Sequence, residues 1–365
     1  MSALARLTLR HPGGETPIWV GPGALRAAAH QAADWLAGRT LFLISSRPIL
    51  ERHGHRLADL CAPARRCEML EVPDGEAAKS GAVAQGLWSR MALAGGKRDS
   101  RVLAFGGGSV SDLAGFAAGC FLRGLECAFL PTTLLAQVDA AIGGKTGIDL
   151  PEGKNLVGLF HHPAFVAADT EVLSGLPAEE IRSGLVEAIK MAALLDLSLF
   201  ERIESDLPAL LATEPEPLAA VVAGAAAAKI AVVERDPSEA GERRLLNFGH
   251  TLGHAIEATL SYRDLRHGEA VAYGILFALR LSERRGLPAG DAARVKRLLA
   301  RLSLPPLPPL RAAALIAASA RDKKALESGL SWVLASRLGA GRIAGDVSWP
   351  EIESELEAFL ADPWS

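Results

Sequence analysis

Cysteine is scarce in this chain: four in 365 residues, Cys61, Cys67, Cys120 and Cys127, with no pair at CxxC spacing. That excludes a disulfide-stapled scaffold and a thiolate metal knuckle. Two of the four lie in segments that read as core helix or strand, which suits a reducing cytoplasm. A surplus of either charge is missing too, since 39 basic and 42 acidic side chains are mixed along the sequence for a net −3 at pH 7. No basic field is available to gather nucleic acid or anionic lipid, so neither is expected as a partner. Unbroken apolar runs of bilayer length are also wanting. The longest, LAAVVAGAAAA before Lys229, is Ala-rich and short, and reads as a buried helix. In the opening MSALARLTLRHPGG, charges interrupt every apolar stretch, so neither a signal peptide nor a spanning helix is expected there. No internal repeat or low-complexity tract is present. What remains is a chain too long for one small core, suited to a two-domain enzyme.

The first half alternates strand-like and helical segments. TPIWVG, RTLFLIS and ARRCEMLEV read as strands, GAVAQGLWSRMALAG as a helix, RVLAFGGG as a strand running into the helix SVSDLAGFAAGCF, and LECAFLPTT as a strand ending at Pro131. This alternation predicts a parallel-type sheet with helices packed on it. After Leu176, Ala, Leu, Glu and Arg recur with a period near 3.6, and strand signals nearly vanish until SWVLASRLG. The reading is an α/β domain over residues 1–176 and a mostly helical domain over 177–365, with Pro177 at the boundary. PPLPPL at 305–310 is a rigid connector.

Chemistry concentrates between Glu187 and Glu269. Glu187 lies on a predicted helix in GLVEAIK, His250 and His254 lie four apart in NFGHTLGHAIE, and His267 follows in RHGEAVAYG. Residues at i and i+4 share a helical face, so both imidazoles can point at one ion or substrate. One carboxylate with imidazoles is a ligand set for a catalytic divalent metal, zinc first. The same pair taken alone also fits structural or surface histidines. Asn247, Gly249, Thr251 and Gly253 leave little bulk beside the rings, which favours a site.

Gly106, Gly107 and Gly108 follow the strand VLAF and precede a helix carrying Asp112 in its first turns. Such a turn lets backbone approach a phosphate and aims free N–H groups at it, so a dinucleotide pyrophosphate fits, although a plain strand-to-helix turn fits equally. VPDGEAAKS, with Glu76 and Lys79 beside Gly75, reads by itself as a solvated turn. PTTLLAQVDAAIGGKTGIDLPEGKNLVGLFHHP is poor helix material, yet apolar enough to be partly buried, and carries Asp139, Lys145, Lys154 and Asn155. Buried lysines need anionic partners, which a phosphate- or carboxylate-bearing substrate supplies. The same holds for Lys190, three residues past Glu187, and for Arg243, four residues before Asn247.

The strings GGGSVSDLAGF, RG at 123–124, PTTLLAQVDAAIGGKTGIDLPEGKNLVG, GLVEAIK, LLNFGHTLGHAIEA, HGEAVAYG and DKK, in this order from about Gly75 to Lys324, closely resemble the 3-dehydroquinate synthase family. The resemblance implies an N-terminal α/β domain that binds NAD, a helical C-terminal domain that binds a divalent metal (zinc as a rule, cobalt as the alternative), and an active site in the cleft between. It implies that Glu187, His250 and His267 are the metal ligands and His254 an acid/base group facing substrate. Asp139, Lys145, Asn155, Lys190, Lys229, Arg243 and Asn247, with one of Lys323 and Lys324, would line the substrate site. Arg123 would reach a phosphate from the neighbouring subunit of a homodimer. Glu76, Lys79, Gly107, Gly108, Asp112, Thr132, Thr133, Lys145 and Lys154 would hold NAD or border it. The implied reaction turns 3-deoxy-D-arabino-heptulosonate 7-phosphate into 3-dehydroquinate and phosphate, a carbon–oxygen lyase step of the shikimate pathway to aromatic amino acids, in the cytoplasm.

The chain departs from the family pattern after RTLFLIS, where Ser45, Ser46 and Arg47 stand in place of an Asp or Asn beside the adenosine. Met191 and Ala192 follow Lys190 where an aromatic and a glycine are common, a feature shared with sugar-phosphate cyclases of secondary metabolism that act on sedoheptulose 7-phosphate or glucose 6-phosphate. Those cyclases are the alternative reading, but Asn247, His254 and the intact GKNLVG stand against it. A metal-dependent polyol dehydrogenase of related fold is a further alternative, one that would release NADH.

Overall fold

The computed structural model describes residues 4–323 and 331–364. Its chain divides into two compact units, Met1–Pro177 with Ala212–Pro237, and Ala178–Leu211 with Ser238–Ser365.

The first unit opens with the hairpin β1 (Ala5–His11) and β2 (Gly14–Val20), followed by α1 (Ala24–Leu36), β3 (Thr40–Ser46), α2 (Arg47–His53), the short α3 (Ala58–Cys61) and β4 (Arg66–Val72). Next come α4 (Gly81–Leu93), β5 (Arg101–Gly106), α5 (Gly108–Cys120), β6 (Glu126–Pro131), a hairpin of β7 (Lys145–Leu150) and β8 (Gly153–Phe160), and β9 (Val166–Ala168). Seven strands form one sheet in the order β1-β2-β9-β6-β5-β3-β4, antiparallel between β1 and β2 and parallel elsewhere. Every residue of β3 and β5 is buried. Such strands are continuous apolar runs because helices cover both faces of a parallel sheet. On one face Leu41, Leu43, Leu103, Phe105 and Leu130 pack with Ala28, Ala32 and Leu36 of α1 and with Phe165. On the other, Gly115 of α5 lets the helix close on the β7–β8 hairpin, since a Cβ there would lie 2.4 Å from Thr146 Cγ2.

The sheet reverses direction between β3 and β5: the chain steps outward from β3 to β4, then crosses back to β5. The carboxyl ends of the two strands flanking such a switch point are where open parallel sheets bind ligands. Both the glycine turn after β5 and Ser45–Ser46 of β3 stand there.

From Pro177 the chain forms α6 (Ala178–Leu195) and α7 (Leu197–Leu211) of the second unit, then returns to the first as α8 (Pro215–Arg235) before leaving again. The sequence reading placed everything beyond residue 176 in the helical domain. Helix α8 instead packs on β1, β2 and the turn Ala136–Ala140, because its apolar face meets that sheet edge. By length and hydropathy α8 could cross a bilayer. Ten of its residues, Leu218, Val221, Val222 and Ile230 among them, are buried in the protein, as the reading of LAAVVAGAAAA expected.

The second unit continues with α9 (His250–Thr259), α10 (His267–Glu283), α11 (Ala289–Ala300), α12 (Ala312–Lys323), the hairpin β10 (Trp332–Arg337) and β11 (Ala340–Ala344), and α13 (Trp349–Ala361). Helix α10 is its axis, with fourteen of seventeen residues buried, and a helix apolar all round belongs in a core. Phe277 of α10 meets Trp332 and Phe359 at ring-centroid distances of 5.5 and 5.4 Å.

Candidate active site

Three helices of the second unit approach one another more closely than side chains would allow. A Cβ on Gly274 of α10 would lie 1.9 Å from the Gly249 carbonyl oxygen, and one on Gly268 would lie 2.3 Å from the Ser183 carbonyl oxygen. Gly249 itself has φ 78°, a left-handed conformation that glycine adopts without strain, and it starts α9 directly at His250. The Ser183 hydroxyl accepts a hydrogen bond from the Gly268 N–H at 3.0 Å, which joins α6 to the first turn of α10. These close contacts draw Glu187 on α6, His250 and His254 on α9, and His267 at the head of α10 into one cluster.

Glu187 is fully buried, and neither carboxylate oxygen accepts a hydrogen bond from the described residues. Its Oε1 lies 3.8 Å from His250 Nε2 and 3.6 Å from His267 Nε2, while Lys190 Nζ stands 2.5 Å from Oε2 without hydrogen-bond geometry. One ring nitrogen from each of His250, His254 and His267 falls within 4.8 Å of the others. Two of the three rings are oriented from behind. His250 Nδ1 is 3.2 Å from the Phe248 carbonyl oxygen, which fixes Nδ1 as the donor and leaves Nε2 with its lone pair outward. His267 Nδ1 is 3.1 Å from Glu257 Oε2, a carboxylate almost wholly buried. Burial holds the His250 imidazole well below its ordinary pKa, and the positive charge of Lys190 adds to this, so the ring is neutral. The neutral His250, with His254, His267 and a buried carboxylate that accepts no hydrogen bond from the described residues, makes a donor set that fits a divalent cation. The three histidines meet that geometry, and Glu187 Oε1 faces two of them, His250 and His267.

Around this cluster, Arg243 and Lys190 are buried cations, and the Asn247 amide donates to Glu239 Oε1 at 2.9 Å. Lys324 lies outside the described residues, as does the side chain of Lys323.

In the first unit, Gly107 precedes α5 with no side chain capping the helix, so the first N–H groups of α5 are not claimed by a cap. A Cβ on Gly107 or Gly108 would crowd Thr133 Cγ2 at 3.1 Å or Ala140 Cβ at 3.0 Å. An uncapped helix start built of glycine at the switch point fits a pyrophosphate. Beside it, Lys79 is 4 % exposed and donates to Asp112 Oδ2 at 2.9 Å and to Asn155 Oδ1, with Asp149 at 3.8 Å and Glu76 at 3.9 Å. Residues 73–77 are exposed, as expected of a solvated turn, but Lys79 is buried, because Asp112 and Asn155, 33 and 76 residues away, supply the countercharge and the acceptor. Burial pushes the Asp112 carboxyl up and Lys79 pulls it back. Lys154 reaches Glu76 at 3.5 Å. Thr132 is buried with an unpartnered hydroxyl, and Thr133 Oγ1 accepts from Ala136 N at 3.2 Å. Lys229 of α8 donates to the Asp139 carbonyl at 2.7 Å and to its carboxylate, on a turn of π-helix at Ala136–Ala140. Lys145 begins β7 and is exposed. Arg123 is exposed at a bend where both it and Leu122 have positive φ.

At the end of β3, Ser45 donates to the Phe105 carbonyl at 2.6 Å, Ser46 to Asp74 Oδ1 at 2.7 Å, and Arg47 to Glu51 Oε1 at 2.9 Å. Sequence reasoning missed Asp149 and Glu257. Glu257 was detectable, since it stands seven residues after His250 and so on the same helical face.

The family models described as 3-dehydroquinate synthase N-terminal and C-terminal match residues 69–183 and 184–325. The chain belongs to the 3-dehydroquinate synthase family. A 3-dehydroquinate synthase of Xylella fastidiosa strain M12 is 40% identical over 370 residues, covering 98% of each chain. Among solved structures, 2-epi-5-epi-valiolone synthase from Streptomyces hygroscopicus subsp. jinggangensis, with NAD+ and Zn2+ bound, superposes with a TM-score of 0.87 at 29% identity over 99% of both chains. A 2-deoxy-scyllo-inosose synthase complexed with carbaglucose-6-phosphate, NAD+ and Co2+ gives the same TM-score at 26% identity, over 97% of this chain and 99% of that one.

Proposed function

We propose that the chain converts 3-deoxy-D-arabino-heptulosonate 7-phosphate to 3-dehydroquinate and phosphate, using bound NAD and a divalent metal, zinc first, as a cytoplasmic homodimer. The observation that carries this reading is the buried Glu187 carboxylate facing converging imidazoles, in a chain 40% identical to such synthases along nearly its whole length. Glu187, His250 and His267 would hold the cation, His267 being oriented by Glu257 and His250 by the Phe248 carbonyl. The turn Gly106–Gly108 with Asp112, Lys79, Glu76, Lys154, Thr132 and Thr133 would hold NAD. When bound, the two cofactors supply removal and return of a hydride and acidify the hydroxyl being oxidised.

The protein's own residues do the rest. His254 shares the cluster of the neutral His250 and takes the role of moving the proton of the substrate hydroxyl undergoing oxidation. Lys190, Arg243 and Lys145 neutralise the carboxylate and phosphate of the substrate, and Asn247 and Asn155 fix its hydroxyls. Asp139 holds Lys229 in place, so that its ammonium can donate to a substrate oxygen. Arg123, on its strained exposed bend, extends toward the phosphate of a second subunit.

The decisive assay incubates the protein with the heptulosonate phosphate, NAD and zinc, and measures inorganic phosphate, dehydroquinate and NADH together. Equal phosphate and dehydroquinate with no net NADH is expected. Net NADH would instead indicate a polyol dehydrogenase, and turnover of sedoheptulose 7-phosphate or glucose 6-phosphate in place of the heptulosonate would indicate a secondary-metabolic cyclase. His250→Ala should lose bound metal and turnover together, and a variant with normal metal content and rate would overturn the ligand assignment.

A further inference from the structure

The β7–β8 hairpin carries two of the candidate site residues at an irregularity. Between the cross-strand pairs Ile148–Val157 and Leu150–Gly153, a single residue of β7, Asp149, stands opposite three of β8, Lys154, Asn155 and Leu156. Bulges re-aim side chains, and this one does so with Asn155 in the left-handed region at φ 55°. A residue that bears a side chain keeps that conformation only where its surroundings impose it. Asp149 imposes it from two directions. Its Oδ1 accepts from the Asn155 N–H at 2.8 Å, while its own N–H leaves the hairpin and donates to the Lys79 carbonyl at 2.8 Å, beside a parallel bridge to Ser80. Lys79 closes the loop of contacts, since its ammonium donates to Asn155 Oδ1.

We propose that Asp149 is a positioning residue for both ligands: by holding the bulge, it sets Asn155 toward the substrate and, through Asn155, sets Lys79 toward NAD. The assignment rests on the synthase reading, in which Lys79 borders NAD and Asn155 meets a substrate hydroxyl. An ammonium selects the oxygen end of an amide, because only oxygen accepts, so the Asn155 Nδ2 is the end presented to substrate. Asn155 is exposed, as that role requires, whereas Lys79 is buried and relies on fixed partners. As a countercharge Asp149 is secondary. Its Oδ1 stands 3.8 Å from Lys79 Nζ, beyond hydrogen-bond reach, while Asp112 Oδ2 accepts from the same ammonium at 2.9 Å. The contact through which Asp149 acts is therefore the bond from the Asn155 N–H. One carboxylate thus links the two halves of the reaction site that the first unit supplies, and a change in it reaches NAD and substrate together.

Calorimetric titration of the zinc-loaded full chain with NAD, and initial rates with the heptulosonate phosphate, test this. Asp149→Ala should raise both the NAD Kd and the substrate KM at least about tenfold, the scale of one lost hydrogen bond to a charged acceptor. Asp149→Asn keeps an acceptor oxygen without the charge, and should stay within about threefold of the parent in both. Asn155→Ala alone should reproduce the loss, and in that background the difference between Ala and Asn at position 149 should shrink below about twofold. The hairpin is a sheet of its own, apart from the seven strands, so the fold should survive these changes, and melting curves check it. Parent-like constants in Asp149→Ala would overturn the proposal. So would an Asp149→Asn variant as weak as Asp149→Ala, which would make Asp149 a countercharge only, or an Ala–Asn difference that persists undiminished without the Asn155 side chain. The NAD titration needs no turnover: a parent chain inactive on the heptulosonate phosphate would count against the synthase reading, and NAD affinity would then decide the role of Asp149.

Discussion

Gly274→Ala measures how far the helix cluster depends on backbone-to-backbone contact. The added methyl carbon would stand 1.9 Å from the Gly249 carbonyl oxygen, 2.8 Å from its carbon and 2.9 Å from Gly253 N. Real Cβ atoms keep at least 3.0 Å from such neighbours, so α9 and α10 must part by about 1 Å. All three obstructing atoms are backbone, and no rotamer change relieves them. Overpacking of this kind costs about 1 to 3 kcal/mol, and the rigidity of the contact places the cost at the upper end. At about 2 to 4 °C per kcal/mol for a unit of this size, the second unit should melt about 6 to 12 °C lower. The same displacement separates His250 and His254 from His267, so the variant should also bind zinc less tightly in the cold, where it is still folded. Calorimetry with metal analysis reads both, and Gly290→Ala serves as control, because a Cβ at Gly290 meets nothing within 4 Å. If Gly274→Ala melts within about 2 °C of the parent and keeps its metal, the close-approach account of the cluster is wrong.

Glu257→Gln keeps the shape behind His267 but removes the charge that accepts its Nδ1 proton, and metal affinity measured by competition with a chromogenic chelator should fall about 10- to 100-fold. An unchanged affinity would reduce Glu257 to a packing residue. Lys79→Met leaves Asp112 without its cation, at a cost of about 3 kcal/mol near neutral pH. The carboxyl, already pushed up by burial, then rises further above its unfolded value of 3.8, so the native state holds the proton that the unfolded state has released. The variant's stability deficit should therefore grow as pH increases from 3.8 through the raised pKa and level off above it, and denaturant melts at pH 5 and pH 8 check the sign. A deficit that shrinks with rising pH would contradict the role given to Lys79.

Much of the first unit was legible because β3, β5 and β6 are unbroken apolar runs that end in glycine, serine or proline, and burial on both faces requires that pattern. The β7–β8 hairpin was not legible. Its strands carry Gly147, Gly153, Gly158, Lys154 and Asn155, and most of β8 is exposed, so apolar alternation does not mark it. Lys79 misled for a physical reason: the burial of a lysine is decided by its partners, and Asp112 and Asn155 are distant in sequence. Helical spacing put His250 and His254 on one face, and it was ligand chemistry that grouped Glu187 and His267 with them. The Phe248 carbonyl as an orienting acceptor needed the geometry of the turn at Gly249, whereas Glu257 shares a helical face with His250 by spacing. Helix α8 is mostly alanine and valine, a composition that says it is buried without saying against what.

The detour through α6 and α7 before α8 has a consequence for synthesis on the ribosome. The sheet domain lacks the helix that covers β1 and β2 until Arg235 has been made, by which time two helices of the other unit have already emerged. Neither half can therefore finish folding as a simple N-terminal-first module. A nascent chain halted near Pro177 should expose the apolar side of that sheet edge and rely on a chaperone to keep it from self-association.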